Sequence, residues 1–171
     1  MPNSVGIITC VTNSNGVGPG HTALWVDGTC YSFEQIAKGN GWLVLGVDSY
    51  VNRAINLGRP LVYYKLNGLV SPNSVEEYLL DDSAGLWPVY GPNVCSQRAS
   101  LALNAGTFGG FNPYGYDTPF GVYWCAWRRN IVSEWWAVWK KPSLQSESAQ
   151  QRIYAKLESE YGIGAGDLFL G

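Results

Sequence analysis

A single histidine serves the whole chain of 171 residues, and its four cysteines never fall in a C-x-x-C pair. One imidazole and widely spaced thiols cannot complete the usual zinc spacings, so no metal site is expected, and no organic cofactor is implied. Charge is scarce as well: 11 basic and 13 acidic side chains leave a net charge of −2 and a pI near 5.3. Without a basic surplus the chain offers no electrostatic footprint for nucleic acid. No apolar run approaches the ~20 residues needed to span a bilayer. The amino-terminal "MPNSVGIITCVTN" lacks the basic and long apolar regions of a secretory signal. A soluble protein is therefore expected, either cytoplasmic or exported by a specialised route. There is no internal repeat and no low-complexity linker, so residues 1–171 read as one domain. With 46% hydrophobic residues, such a chain buries a sizeable core without disulfide staples.

The pattern along the chain is that of an α+β protein, an antiparallel sheet packed against helices. "SVGIITCVTN" (4–13) is a β-branched buried strand, followed by the turn-forming "NSNGVGPG". "HTALWVD" and "TCYSFE" flank Asp27-Gly28, a dipeptide suited to positive φ, and should pair as a hairpin with His21 and Glu34 at the same end. "WLVLGV" (42–47) reads as a strand or a buried connection, "SYVNRAINLG" (49–58) as a short helix ended by glycine, and "PLVYYKLN" (60–67) as a strand. "SPNSVEEYLLDD" should be a helix capped by Asn73 or Ser74, with Glu76 and Glu77 in its first turn. From Cys95 to Gly106 the apolar spacing describes a helix with the cysteine in its first turn.

Residues 107–171 form an aromatic-rich loop and helical extension. "TFGGFNPYGYDTPFG" (107–121) reads as a structured loop. "VYWCAWRRNIVSEWWAVWKK" (122–141) has Trp124, Trp127, Ile131, Trp135 and Val138 on one helical stripe, expected in the core, with Trp136 and Trp139 left for an exposed binding surface. A polar helix over 143–162 should bury Ile153, Leu157 and Tyr161.

Two stretches carry chemistry. A cysteine nucleophile needs a base to become thiolate, and the base needs a group that holds its tautomer. Cys95, His21 and Glu34 can fill these roles, with Asp27 and Gln35 as substitutes for the glutamate. The first turn of a helix favours thiolate over thiol. Cys10 and Cys30 sit in apolar strand runs and Cys125 in a tryptophan-rich helix, where packing accounts for them. The backbone N–H of Cys95 is the natural first oxyanion donor, and Tyr90, Asn93 or Gln97 could supply a second.

A histidine opening a strand ("GHTALWVDG"), a polar residue ending the next ("YSFE") and a later cysteine at a helix start ("GPNVCSQRASLALNAG") resemble the circularly permuted papain-like hydrolases. These include permuted relatives of NlpC-type cell-wall peptidases and the lecithin retinol acyltransferase-like enzymes. The likeness covers about residues 4–106. It departs where Val94 separates Asn93 from the cysteine. The resemblance implies a permuted papain-like fold and a thiol hydrolase cleaving an amide, such as a peptidoglycan stem peptide or another peptide bond. A lipid or thioester acyl group is the acyltransferase alternative. By analogy the enzyme would suit a bacterial toxin-like effector countered by an inhibitory immunity protein. A binding module on the same scaffold is the non-enzymatic alternative.

Overall fold

The β-branched run Val5–Cys10 forms β1, whose six residues are all buried. It lies inside a sheet that the computed structural model describes over residues 1–36, 39–81, 94–112 and 118–169. On one side β1 pairs with β2 (His21–Val26), which pairs with β3 (Thr29–Ile36) and through it with β4 (Gly39–Gly46). On the other side come β5 (Leu61–Leu66) and β6 (Val132–Val138). All these pairings are antiparallel; the two-residue β7 (Leu168–Phe169) adds in parallel beyond β6. The order is β4-β3-β2-β1-β5-β6-β7. Asp27 and Gly28 take φ of 44° and 86°, the two positive values that a tight right-twisted hairpin requires. Residues 42–46 of "WLVLGV" are thus strand, continuing β3 into the sheet's edge, and Val47 begins the helix that follows.

The α+β class and the antiparallel sheet against helices agree with the sequence pattern. Strand alternation splits the core in two. On one face Ile8, Cys10, Ala23, Trp25, Cys30 and Leu61 meet Tyr50 and Ala54 of α1 (Val47–Asn56). On the other, Ile7, Leu24, Val62 and Tyr64 pack with buried residues of α2 (Pro72–Asp81), α3 (Val94–Gly106), α4 (Pro119–Arg128) and α5 (Glu147–Tyr161). Ala149, Ile153, Leu157 and Tyr161 are the buried side of α5, as its periodicity indicates. Helix α1 closes with Gly58 in the left-handed region, where the N–H groups of Gly58 and Arg59 reach the carbonyls of Ile55 and Ala54.

Three expectations are corrected. The cap of α2 is Ser71: its Oγ accepts from the Ser74 N–H at 3.2 Å, and Pro72 takes the first helical position. Asn73 and Ser74 are therefore inside the helix, and Glu76 and Glu77 lie beyond its first turn.

The stretch 122–141 is not one helix. Thr118 caps α4 and Pro119 begins it, but Asn130 has φ 55° and stops it. Asn67 clamps this turn, donating through Nδ2 to the Asn130 carbonyl at 2.8 Å and through its backbone N–H to that of Ile131 at 2.7 Å. The residues that follow are mostly β-branched and aromatic and suit a pleated surface better than a helix. They extend the sheet along β5, Tyr64 opposite Trp135 and Tyr63 opposite Trp136.

The helical stripe dissolves with that change. Trp124, Trp127 and Trp135 are partly exposed, at 41%, 38% and 38%, while Trp139 is fully buried and donates its indole N–H to the Gly58 carbonyl. Of the two tryptophans assigned to a surface, only Trp136 reaches one. In the loop 107–121, positions 113–117 lie outside the described residues.

Candidate active site

His21 is the first residue of β2 and stands opposite Cys10 at the end of β1. The residue before it, Gly20, has φ 81°, and a Cβ there would overlap the carbonyl of Cys10. Glycine thus lets the 13–20 loop fold tightly onto the strand end and deliver the imidazole. Asn13 organises that loop by accepting from the N–H groups of Asn15 and Val17. Helix α5 pins it from outside: Arg152 donates to the Asn15 carbonyl and Lys156 to that of Gly18, each at 2.9 Å. The histidine therefore sits on a built support.

Cys95 lies in the first turn of α3 and is 8% exposed. Burial pushes its thiol up, but a hydrogen bond with the His21 side chain, the imidazole's charge, the Thr22 backbone N–H and Ser96 together outweigh it. The result is a pKa lowered from 9.0 to about 7. Ser96 Oγ is 3.7 Å from the sulfur and 3.4 Å from Thr22 Oγ1, which links the helix start to β2. The residues predicted as nucleophile and base are thus brought together.

The residue that meets the imidazole on its other side is one the sequence did not single out. Ser32 Oγ is 2.7 Å from His21 Nε2, which leaves Nδ1 as the nitrogen free for the sulfur. Ser32 is fully buried in β3, and its hydroxyl also hydrogen-bonds Tyr50, whose own ionisation burial suppresses. Glu34 turns away instead: its Oε1 accepts from Arg53 Nη1 at 3.0 Å. Ser32 is placed by the hairpin register. Ala23 pairs with Ser32, the last pair of that ladder, and His21 lies two residues from Ala23 on the same strand, so Ser32 stands diagonally across from the imidazole. The one available signal was a small polar residue inside the apolar run "TCYSF".

The other candidates go elsewhere. Asp27 accepts from the N–H groups of Asn3 and Ser4 and from the Ser4 hydroxyl, tying down the start of the chain. Gln97 is on the exposed side of α3, while Tyr90, Asn93 and the side chain of Gln35 lie outside the described residues.

No protein-family model, curated protein sequence or solved structure matches this chain. The chemistry must be judged from the geometry. All four cysteines are buried and none is in a disulfide. Burial pushes Cys10 up to about 11 against the opposing influence of Arg59 and Tyr50, and pushes Cys30 up further still. Of these two and Cys95, only Cys95 is held toward thiolate. Among the described residues no group of three or more histidine, cysteine or acidic side chains could hold a metal ion, and no helix is long and apolar enough to cross a membrane.

Proposed function

We propose that the protein is a thiol hydrolase that cleaves an amide through Cys95 and His21, with Ser32 in the orienting position. The observation that carries this reading is the contact between a lowered thiol and the chain's only imidazole, itself held by Ser32 at 2.7 Å. A thiol at about 7 is half ionised at neutral pH, the range in which a thiolate combines abundance with nucleophilicity.

In the forward step the Cys95 sulfur bonds to the carbonyl carbon and the oxygen takes up negative charge. The charge lies near the start of α3, where first-turn N–H groups lack helical partners. Collapse breaks the carbon–nitrogen bond, and the His21 imidazolium gives its proton to the departing amine. Water then attacks the thioester while imidazole takes its proton. The carboxylic acid leaves and the thiol re-forms. Throughout, Nε2–H donates to Ser32 Oγ and fixes which nitrogen faces the sulfur.

The element order supports a permuted papain-like layout: strands bearing the base precede the helix bearing the nucleophile. The proposed substrate is an amide rather than an acyl ester. The test is turnover of a panel of peptide anilides and peptidoglycan stem peptides. Cys95→Ala and His21→Ala are expected to abolish release while keeping the thermal unfolding transition; release undiminished in Cys95→Ala overturns the proposal.

A binding role has one observation in its favour, the exposed aromatics Trp127 and Trp135, whose rings lie 6.5 Å apart, and Trp136, 5.3 Å from Tyr63. A module that works through those rings keeps its function in Cys95→Ala.

A further inference from the structure

Arg59 is a cation in no ion pair among the described residues. Its neighbour Arg53 is paired with Glu34, and Arg152 and Lys156 are spent on loop carbonyls. Arg59 makes no side-chain hydrogen bond or ion pair among the described residues, and its Nε is buried without a partner. The ionisable group it acts on, Cys10, stays a neutral thiol because burial outweighs the guanidinium's pull. Among the described residues no ion pair compensates this partly buried charge, and Glu34, which lines the small neighbouring pocket with it, is held by Arg53; such an arrangement costs stability unless a partner arrives from outside.

The place of that charge gives it meaning. Arg59 and His21 line one cleft of about 200 Å³, together with Thr12, Gly18, Pro19 and Gly20 among others. Neither flank is loose. The closing turn of α1 fixes the Arg59 backbone through its N–H bond to the Ala54 carbonyl at 3.0 Å, and α5 pins the glycine loop. A guanidinium presents a planar fork that matches a carboxylate in charge and shape.

We infer that this cleft binds a carboxylate carried by the peptide substrate, held by Arg59 while the adjoining acyl carbon lies at Cys95. The inference rests on the thiol-hydrolase reading and names its substrate class: peptides with a carboxylate beside the scissile bond, either terminal or on an acidic side chain.

Two alkylators of one chemistry test it, because both place a carboxymethyl-type group on the thiolate with loss of iodide. Rates for iodoacetate and iodoacetamide at Cys95 are measured by peptide mapping. In Arg59→Gln the ratio of the two rates is expected to fall by about fivefold to tenfold, the net scale of one hydrogen bond in a solvent-accessible cleft, and in Arg53→Gln to stay at the wild-type value. A ratio in Arg59→Gln within about twofold of wild type overturns the inference. A Cys95 that resists iodoacetamide itself at neutral pH sinks the hydrolase reading instead, so the two failures are distinguishable.

If Arg59→Gln does not fold, the wild-type protein carries the test. N-acetylglycine (terminal carboxylate) and N-acetylglutamic acid α-amide (side-chain carboxylate) are each compared with N-acetylglycinamide as protectants against iodoacetate. Stronger protection by either acid supports the site and names the source. Protection no better than the amide's by both overturns it.

Discussion

Replacing His21 by alanine removes the two largest influences that hold the Cys95 thiol down, its hydrogen bond to the imidazole and the imidazole's charge. Burial then acts against the Thr22 N–H and Ser96 alone, and the thiol is expected to return to 9 or above. That change is about 3 kcal/mol in the balance between thiol and thiolate, at ~1.4 kcal/mol per tenfold. At neutral pH the thiolate fraction falls from about half to about one per cent. The loss in rate is smaller. A thiolate gains nucleophilicity as its pKa rises, with a Brønsted slope of about 0.4–0.5, so two decades of pKa return roughly a six- to tenfold gain. Alkylation of Cys95 by iodoacetamide is therefore expected to slow by about five- to tenfold near pH 7 and to become faster than wild type near pH 10. The assay is the pH profile of Cys95 alkylation, resolved from the other three thiols by peptide mapping. Thermal unfolding monitors the fold of the variant. A profile whose midpoint stays near 7 without the imidazole refutes the argument, and so does a wild-type midpoint near 9.

Ser32→Ala and Glu34→Gln separate the two residues that compete for the orienting role. The first removes the hydroxyl 2.7 Å from Nε2 and is expected to cost about tenfold in amide turnover, the value of roughly one hydrogen bond; the second, which touches only the Arg53 pair, stays within about twofold. Equal losses in kcat for both would contradict this geometry. Gly20→Ala meets both positive φ and the Cys10 carbonyl, whereas Gly28→Ala meets positive φ in open space. Urea melts are expected to show a cost of about 1 kcal/mol for Gly28→Ala and at least twice that for Gly20→Ala. The same melts should show Trp139→Ala losing about 3–5 kcal/mol, as for a fully buried aromatic, and Trp136→Ala about 1 kcal/mol or less. Comparable losses at the two tryptophans would return both to the same environment.

Much of the fold was legible because its signals were local. The Asp27-Gly28 turn set one hairpin and its register, and the apolar spacing of α3 and α5 set two helices. The error at 122–141 arose because tryptophan spacing that fits a helical stripe also fits a pleated strand once Asn130 turns the chain. Only the free edge of β5, a property of the assembled sheet, decides between them. The site was half legible for the same reason. A lone histidine and a helix-start cysteine are visible as residue types. Which of Ser32 and Glu34 holds the imidazole depends on a diagonal contact in the hairpin and on Arg53 arriving from α1. Arg59 was invisible to sequence reasoning altogether, since what marks it is the absence of a partner.

Acylation of Cys95 tests the central claim most directly. Treated with p-nitrophenyl acetate at neutral pH and followed by intact and peptide-resolved mass spectrometry, the wild-type protein is expected to gain one acetyl group on Cys95 that is lost again as the thioester hydrolyses. Cys95→Ala is expected to gain none at that rate. An unmodified Cys95 beside acetylated lysines, equal in wild type and variant, would contradict the account.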